Sequence, residues 1–231
     1  MDEIVILIPA YEPDEVRLPE LVRQLRRTFR HLVLVDDGST KGKAAFEAVR
    51  AEVDAVLVHE VNRGKGAALK TGFAWIRAHL PDAKGVVTAD ADGQHAPTDI
   101  VRVAEATVGH PDGLVLGVRA FVGNVPLRSR FGNWWSRWLF RLLTGLPIQD
   151  TQTGLRGIPT SLLPRMLEIS GDRYEYELRM LVDARHHSAP PLQLPIETVY
   201  INENASSHFR PFKDTVRTQL ALWGAVLSRK P

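Results

Sequence analysis

Cysteine is absent from this chain of 231 residues. Its absence excludes disulfide bonds and thiolate metal sites and fits a reducing compartment. No apolar run approaches the roughly 20 residues that a helix needs to span a bilayer. The first residues are acidic where a signal peptide would be basic. We therefore expect a cytoplasmic protein that does not cross a membrane.

Acidic residues are missing from the segment between Asp112 and Asp150. The formal net charge of the whole chain is only +2, so any basic character is local. A local basic surface favours an anionic partner on one side of the molecule. The arginines of this segment are Arg119, Arg128, Arg130, Arg137 and Arg141.

Linkers rich in Gly, Ser or Pro are also missing, and the sequence contains no internal repeat. A chain in which 44% of the residues are hydrophobic can fill one sizeable core. We therefore predict a single domain over residues 1–231, whose organisation changes after about residue 118.

Short β-branched runs alternate with amphipathic helical patterns in the first half of the chain. The hydrophobicity of these runs is continuous, which indicates strands of a parallel sheet that is covered on both faces. The predicted fold class is therefore α/β, a mostly parallel sheet with helices on both faces. The predicted strands span residues 4–8, 32–35, 55–58, 85–89 and 114–118.

After residue 120 the pattern becomes mainly helical. An alternating run over 192–201 predicts one further strand. Together these segments predict a C-terminal helical elaboration of the sheet. The predicted helices lie at about 131–145, 160–169 and 174–188, and from about 211 onwards.

Polar residues follow each of the predicted strands. Ligands of open α/β sheets bind beyond the carboxyl ends of the strands. We therefore expect these side chains to form one binding edge. They are Tyr11, Glu12, Asp36, Asp37, Arg63, Lys65, Asp90, Asp92 and Arg119.

The run ADADGQH places Asp90 and Asp92 directly after the fourth predicted strand. Residues two apart in an extended chain project to the same side, and two carboxylates aimed at one point favour a cation between them. Mg²⁺ and Mn²⁺ bind one or two protein carboxylates and complete their shell with water and phosphate oxygens. Gln94 adds a neutral oxygen. The alternative is that the acids cap a helix or hold the turn at Gly93.

Two better-known motifs do not fit the sequence. An EF-hand loop is excluded because Gly93 comes too early. A P-loop at 64–71 is excluded because Leu69 stands where a glycine must precede the lysine. The run NRGKG nevertheless opens a predicted helix, whose N–H groups could meet a diphosphate together with Arg63 or Lys65.

Six motifs follow one another over about residues 3–160: IPAYE, VDDGSTKG, NRGKGAALKTGF, ADADGQH, GVR and DTQTGLRG. In this order they resemble family-2 glycosyltransferases of the GT-A (Rossmann-like) fold. They are most similar to the polyprenyl-phosphate glycosyltransferases, the group that includes dolichyl-phosphate mannose synthase. The resemblance implies that a hexose moves, with inversion, from a nucleotide sugar of GDP-mannose or UDP-glucose type to a polyprenyl phosphate. It also implies Mg²⁺ or Mn²⁺ as the cofactor and no nucleic-acid partner.

The resemblance further implies a role for each motif. It makes residues 1–118 the nucleotide-sugar-binding half and residues 119–231 the acceptor-binding half. The implied nucleotide-sugar-binding residues are Pro9, Ala10, Tyr11, Glu12, Asp37, Lys65, Asp90, Ala91 and Asp92. The implied metal ligands are Asp90, Asp92, Gln94 and His208, the last in a segment, 204–214, that would form a lid over the donor.

The implied acceptor contacts are Arg119, Arg128, Arg130 and Arg156. A phosphate monoester is already anionic, so it needs guanidinium groups more than a general base. The catalytic residues expected are Asp92, Arg119 and Glu175. Were the acceptor a hydroxyl instead, Glu175, Glu177 or Asp150 would be the candidate bases.

The predicted helix at 131–145 is a candidate for contact with a membrane. Its tryptophans, Trp134, Trp135 and Trp138, fall on one half of the helix, and Arg137 and Arg141 fall on the other. This pattern favours a helix that lies in a membrane interface, and we expect peripheral attachment to the cytoplasmic face. The alternative is a core helix with solvated arginines.

Three other functions are alternatives to this one. An enzyme of the same fold could transfer the sugar to a saccharide hydroxyl. A non-catalytic nucleotide-binding module could keep the fold without turnover. A phospho-receiver domain is excluded, because its acids follow the first and third strands, whereas here they follow the second and fourth.

Overall fold

The computed structural model describes residues 1–119, 140–142, 144–186 and 188–197. The described strands are β1 (Ile4–Ala10), β2 (His31–Asp36), β3 (Ala55–Val58), β4 (Gly85–Thr88), β5 (Val115–Arg119), β6 (Arg156–Pro159) and β7 (Leu192–Ile196). The described α-helices with full bounds are α1 (Arg17–Arg26), α2 (Lys43–Glu47), α3 (Lys65–His79), α4 (Pro97–Val108), α5 (Leu163–Glu168) and α6 (Glu175–Asp183). Short 3₁₀ turns lie at Arg50–Glu52, Thr160–Leu162 and Ala184–His186.

The described strands form one sheet in the order β3-β2-β1-β4-β6-β5-β7. β1 runs parallel to both β2 and β4, and β2 runs parallel to β3. β6 is antiparallel to β4 and to β5, and β7 is parallel to β5. Because β6 is antiparallel to both β4 and β5, these two strands run in the same direction. Their carboxyl ends therefore lie at the same edge of the sheet.

Each face of the sheet has its own apolar layer. On β1, Val5 and Leu7 pack on one side with α3, while Ile4, Ile6 and Ile8 pack on the other with α1 and α4. All of these side chains are fully buried. Continuous hydrophobicity along β1 therefore reflects helices on both faces, and truncating one such residue to alanine would cost about 2–5 kcal/mol.

The predicted α/β class is confirmed, with one strand that the sequence did not predict. β6 was missed because RGIP is short and contains both Gly and Pro, which are depleted in strands. The helices expected at 160–169 and 174–188 are present as α5 and α6, each with an adjoining 3₁₀ turn.

Several predicted elements lie partly or wholly outside the described residues. Of the helix expected at 131–145, residues 140–142, 144 and 145 are described, and all of them except Gly145 are helical. The strand expected over 192–201 is described as far as β7 and Glu197, and the helix from about 211 lies outside. Among the described residues, no helix is both long enough and apolar enough to cross a bilayer.

Candidate functional site

The residues that follow β1, β2, β4 and β5 lie at one edge of the sheet, as the parallel order requires. The last residues of β1 and β2 are joined directly, since the Asp37 N–H donates to the Ala10 carbonyl at 2.8 Å. This edge, which we call the donor edge, carries Tyr11, Glu12, Asp37, Lys65, Asp90, Asp92 and Arg119.

The centre of the donor edge is an ion-pair cluster of Lys65, Asp90 and Glu177. Lys65 Nζ lies 2.6 Å from Asp90 Oδ1 and 2.9 Å from Glu177 Oε1. The Lys65 and Glu177 side chains are 17% and 9% exposed, and that of Asp90 is 31% exposed. One ammonium therefore links the start of α3, the loop after β4 and the first turn of α6.

The glycines of NRGKG bring these elements together. Gly64 adopts φ +104°, and a Cβ there would lie 2.4 Å from the Asp172 carbonyl oxygen. A Cβ on Gly66 would lie 2.5 Å from the Tyr176 Cβ. The Ala67 N–H donates to that same Asp172 carbonyl at 2.9 Å. Glycine is needed because the start of α3 packs directly on the segment that leads into α6.

The second oxygen of Asp90 is held by other partners. His95 Nε2 lies 3.2 Å from Asp90 Oδ2. A Cβ on Gly154 would lie only 2.3 Å from the same oxygen. The glycine of DTQTG therefore lets the backbone of that loop close over the Asp90 carboxylate.

The pKa values of Asp90 and Asp92 are shifted in opposite directions. Burial alone would raise the pKa of Asp90, but the Lys65 charge and the His95 contact outweigh it and lower that pKa. The pKa of Asp92 is raised, first by burial and then by the negative charge of Asp90. The pKa of Lys65 is raised by Asp90 and Glu177 in spite of burial. Among the described residues Asp92 forms no ion pair of its own, and the Gln94 N–H and the charges of His95 and Lys65 only partly offset the effects that raise its pKa.

A carboxylate whose charge is only partly compensated fits a divalent cation. Asp92 Oδ1 accepts the Gln94 N–H at 3.0 Å, so the two residues named as ligands share one turn. Within the described ranges, no group of three or more His, Asp or Glu is placed to hold a metal ion. A cation at Asp92 would therefore take most of its shell from water and phosphate oxygens, as Mg²⁺ does at nucleotide sites. The expected ligand His208 lies outside the described residues.

Glu12 and Asp37, which are expected to bind the nucleoside, hold loops of the donor edge in place. The Glu12 carboxylate accepts the N–H groups of Thr40, Lys41 and Gly42 at 2.8–2.9 Å and the Thr40 hydroxyl at 2.8 Å. The bonds from Thr40 and Gly42 lower the pKa of Glu12 to about 2. Glu12 also adopts a left-handed φ of 47°. The structure thus places Glu12 as the anchor of the loop before α2.

The Asp37 carboxylate is buried and also accepts backbone N–H groups. Its Oδ1 accepts the Arg63 N–H at 2.9 Å, and its Oδ2 accepts the Gly64 N–H at 2.7 Å. Pro9 and Ala10 are buried within β1, and Ala91 is partly buried. Tyr11 is 39% exposed.

Arg119, which is expected to contact the acceptor, is oriented by a buried carboxylate. Its Nε lies 2.7 Å from Asp150 Oδ2, and its Nη2 lies 3.1 Å from Asp150 Oδ1. Asp150 is fully buried, whereas the Arg119 side chain is 31% exposed. This bidentate pair fixes the guanidinium and engages one of the acids considered as a base.

Arg156 is 1% exposed and does not reach the donor edge in this structure. Its Nε donates to the Thr153 carbonyl at 2.9 Å, and its Nη1 donates to the Glu177 carbonyl at 2.5 Å. Burial lowers its pKa. The guanidinium therefore supports the backbone beneath Glu177. The other expected acceptor contacts, Arg128 and Arg130, lie outside the described residues.

Glu175, expected as the base, is not brought to the cluster. Its Oε1 accepts the N–H groups of Asp172 and Arg173 at 3.3 Å each, at the start of α6. Glu177 occupies the inward position instead. The signal was present in the sequence, because Glu177 shares a helix face with Met180 and Leu181, and an acid among apolar positions usually has a buried partner. His95 and Gly154, which lie against the Asp90 carboxylate, were also not predicted as site residues.

The chain is similar to known proteins. The model of the family described as Glycosyl transferase family 2 matches residues 5–161. A UDP-N-acetylglucosamine–dolichyl-phosphate N-acetylglucosaminyltransferase of Methanococcus voltae is 30% identical over 221 residues, covering 85% of this chain and 86% of the relative. A polyprenol monophosphomannose synthase of Mycolicibacterium smegmatis is 29% identical over 209 residues, covering 83% and 76%.

The fold also matches solved structures. Glucosyl-3-phosphoglycerate synthase from Mycobacterium tuberculosis, in complex with Mn²⁺, UDP-glucose and phosphoglyceric acid, superposes with a TM-score of 0.69 at 19% identity. The match covers 98% of this chain and 80% of that one. Sheet order, helices and motif-bearing edge define the class, a glycosyltransferase of the GT-A fold. The chain belongs to glycosyltransferase family 2.

Proposed function

We propose that this protein transfers a hexose from a nucleotide sugar to a polyprenyl phosphate, with inversion, in a reaction that depends on Mg²⁺ or Mn²⁺. The observation that carries the proposal is the pairing, on one edge, of an only partly compensated Asp92 with an oriented Arg119. The first suits a diphosphate with its cation, and the second suits a phosphate acceptor. The named relatives act on lipid phosphates, which supports the same acceptor here.

Asp92 and Gln94 would hold the cation, with Asp90 and His208 as the further ligands expected. When bound, the cation offsets the negative charge that develops on the departing nucleoside diphosphate. Lys65 places a second positive charge beside the same acids. We assign the nucleoside to Tyr11, with Pro9, Ala10, Glu12, Asp37 and Ala91 shaping the surface beneath it.

The transfer itself needs little proton movement. An acceptor phosphate oxygen forms a bond to the anomeric carbon, and the bond from that carbon to the diphosphate oxygen breaks, with its electron pair leaving on the nucleotide. Arg119 would hold the acceptor phosphate, helped by Arg128 and Arg130. Because the acceptor is already an anion, no general base is required.

A hydroxyl acceptor would need such a base, and the described residues argue against one. Glu177 is paired with Lys65, Asp150 is paired with Arg119, and Glu175 accepts two backbone N–H groups. Each acid considered as a base is therefore already engaged. This observation favours the phosphate acceptor over the saccharide hydroxyl.

We propose peripheral contact with the cytoplasmic face of a membrane, since the lipid acceptor resides there. Leu142 is 65% exposed and its neighbour Arg141 is exposed as well. An exposed leucine beside an exposed arginine suits the boundary between headgroups and acyl chains.

The test is transfer of radiolabel into an organic phase. The protein is incubated with Mn²⁺, undecaprenyl or dolichyl phosphate, and labelled UDP-glucose, UDP-N-acetylglucosamine or GDP-mannose, and the lipid is extracted with butanol. We expect label in butanol with at least one donor, and a loss of about a hundredfold or more in D92N. D82N, at an exposed aspartate before β4, is the matched control and should keep full activity.

Label that stays in the aqueous phase with every donor and lipid, while Mn²⁺ and nucleotide still bind, would contradict the lipid acceptor. Label in a water-soluble saccharide would support the hydroxyl acceptor instead. Nucleotide binding that is indifferent to EDTA, without any transfer, would support a non-catalytic module.

A further inference from the structure

His59 follows directly after β3 and is 7% exposed. Its Nδ1 lies 2.7 Å from Asp37 Oδ1, and its Nε2 lies 2.9 Å from the Thr71 hydroxyl. A carboxylate only accepts hydrogen bonds, so Nδ1 carries the proton and donates to Asp37. Nε2 forms the second hydrogen bond of the ring, with the Thr71 hydroxyl. His59 therefore ties the end of β2 to the second turn of α3.

The same Asp37 carboxylate that binds His59 also binds the turn that precedes α3. Its Oδ1 is shared by His59 and the Arg63 N–H, and its Oδ2 accepts the Gly64 N–H at 2.7 Å. The Gly64 N–H bond is the last before Lys65, the first residue of α3. Rotation of the carboxylate would therefore displace the turn, and His59 opposes that rotation.

The placement of this turn decides where the Lys65 ammonium lies. Lys65 Nζ meets Asp90 at 2.6 Å and Glu177 at 2.9 Å, and charge-assisted bonds of this kind weaken when either distance lengthens. His59 is thus linked to the centre of the donor edge through Asp37, the turn 62–64 and Lys65. None of these links requires His59 to touch a ligand.

We propose that His59 is a positioning residue for the nucleoside diphosphate part of the donor, acting through Asp37 and the turn 62–64. The inference rests on the proposed function, since it assumes that the donor edge binds a nucleotide. A histidine with a merely structural role would change the free energy of unfolding without changing nucleotide affinity. The two roles are therefore separable by measurement.

The experiment is calorimetry of UDP and of GDP, each with Mn²⁺, on His59 variants of the full chain. H59F removes both ring hydrogen bonds, whereas the amide N–H of H59N can replace the Nδ1–H donation to Asp37. We expect H59F to bind nucleotide at least about tenfold more weakly than wild type and H59N to stay within about threefold, by analogy with the loss seen when a hydrogen-bond partner of a metal-ligating histidine is removed. Thermal unfolding of each variant is measured alongside.

The chain offers a matched control in His31, whose Nδ1 lies 3.0 Å from Asp54 Oδ1 at the opposite end of β2. H31F removes a similar His–Asp pair far from the donor edge, and should bind nucleotide like wild type. If H59F shows no cooperative unfolding transition, H59Q replaces it. The longer amide reaches toward Thr71 rather than Asp37, so H59Q should bind at least about tenfold more weakly than H59N.

Wild-type affinity in both H59F and H59N would overturn the inference, and so would an equal loss in both, because the Asp37 bond would then not be the link. Loss of affinity in H31F as large as in H59F would also overturn it. A wild-type protein that binds neither UDP nor GDP with Mn²⁺ would overturn the proposed function itself.

Discussion

Asp90 and Asp92 are separated by one residue, yet within the described part of the chain only Asp90 forms ion pairs. Lys65 and His95 hold its two oxygens. The raised pKa of Asp92, caused by burial and by Asp90, marks the carboxylate that would gain most from a metal ion. The two acids of one short motif therefore have different roles in this structure, one anchored and one available.

Replacing Lys65 by methionine should make Mn²⁺ bind more tightly in the absence of nucleotide. The change leaves Asp90, Asp92 and Glu177 without the ammonium that compensates them, and a unit charge about 4 Å away contributes up to about 4 kcal/mol at an effective dielectric constant of about 20. We expect at least about a tenfold gain in Mn²⁺ affinity by titration calorimetry.

K65M should also unfold at a lower temperature without Mn²⁺ and recover when Mn²⁺ is added, since it leaves buried acids unpaired. The control is K70M, one turn further along α3, where Lys70 pairs with the largely exposed Asp172 at 3.0 Å. Unchanged Mn²⁺ affinity in K65M would show that the Lys65 charge does not act at the metal site.

At the level of secondary-structure elements, the donor edge depends on close backbone contacts. The start of α3 packs on the segment before α6, and the loop before β6 closes over Asp90. These contacts explain why two of the motifs are rich in glycine. A helix start that must touch another backbone cannot carry side chains on that side.

G154A should weaken binding of Mn²⁺ with nucleotide while leaving the fold intact. A Cβ at this position would lie 2.3 Å from Asp90 Oδ2, so either the loop or the carboxylate must move. We expect at least about a tenfold loss of nucleotide affinity and a destabilisation of about 1–3 kcal/mol by urea unfolding.

The matched control for that variant is G109A, after α4, where φ is −77° and the nearest atom to an added Cβ is 3.7 Å away. It should leave affinity unchanged and stability equal or slightly higher. Equal affinity in G154A and wild type would mean that the Asp90 carboxylate can move aside without consequence.

Much of the donor edge could be predicted, because parallel strands place their carboxyl ends together whatever the details of packing. Asp37, Asp90, Asp92 and Arg119 followed from that rule alone. The choice between Glu175 and Glu177 did not follow, since it depends on the rotation of α6 against α3. The burial of Arg156 could not be predicted either, because β6 was not recognised as an inner strand.

For the molecule as a whole, stability should fall on acidification in a way that Glu12 helps to set. The pKa of Glu12 is lowered to about 2, against about 4.3 in an unfolded chain. A lowered pKa contributes stability above the unfolded value, and that contribution is lost as the pH falls from about 5 toward 2. The raised pKa of Asp92 acts in the opposite sense.

E12Q should therefore lower the free energy of unfolding by about 1–2 kcal/mol at pH 7, as partly exposed charge-assisted bonds do. The difference from wild type should shrink as the pH falls from about 5 and approach zero near pH 2, as measured by urea unfolding across that range. E15Q, at an exposed glutamate nearby, serves as the control. A difference that stays constant with pH would show that the Glu12 charge is not what holds the loop.

The loop over residues 59–64, which connects β3 to α3, offers a site for a fluorescent label. Val61 is 67% exposed on this loop, and the chain contains no thiol. A single cysteine introduced as V61C can therefore be labelled selectively with an environment-sensitive fluorophore. Such a reporter would follow arrival and departure of a nucleotide at millisecond resolution, without radioactive donor or extraction.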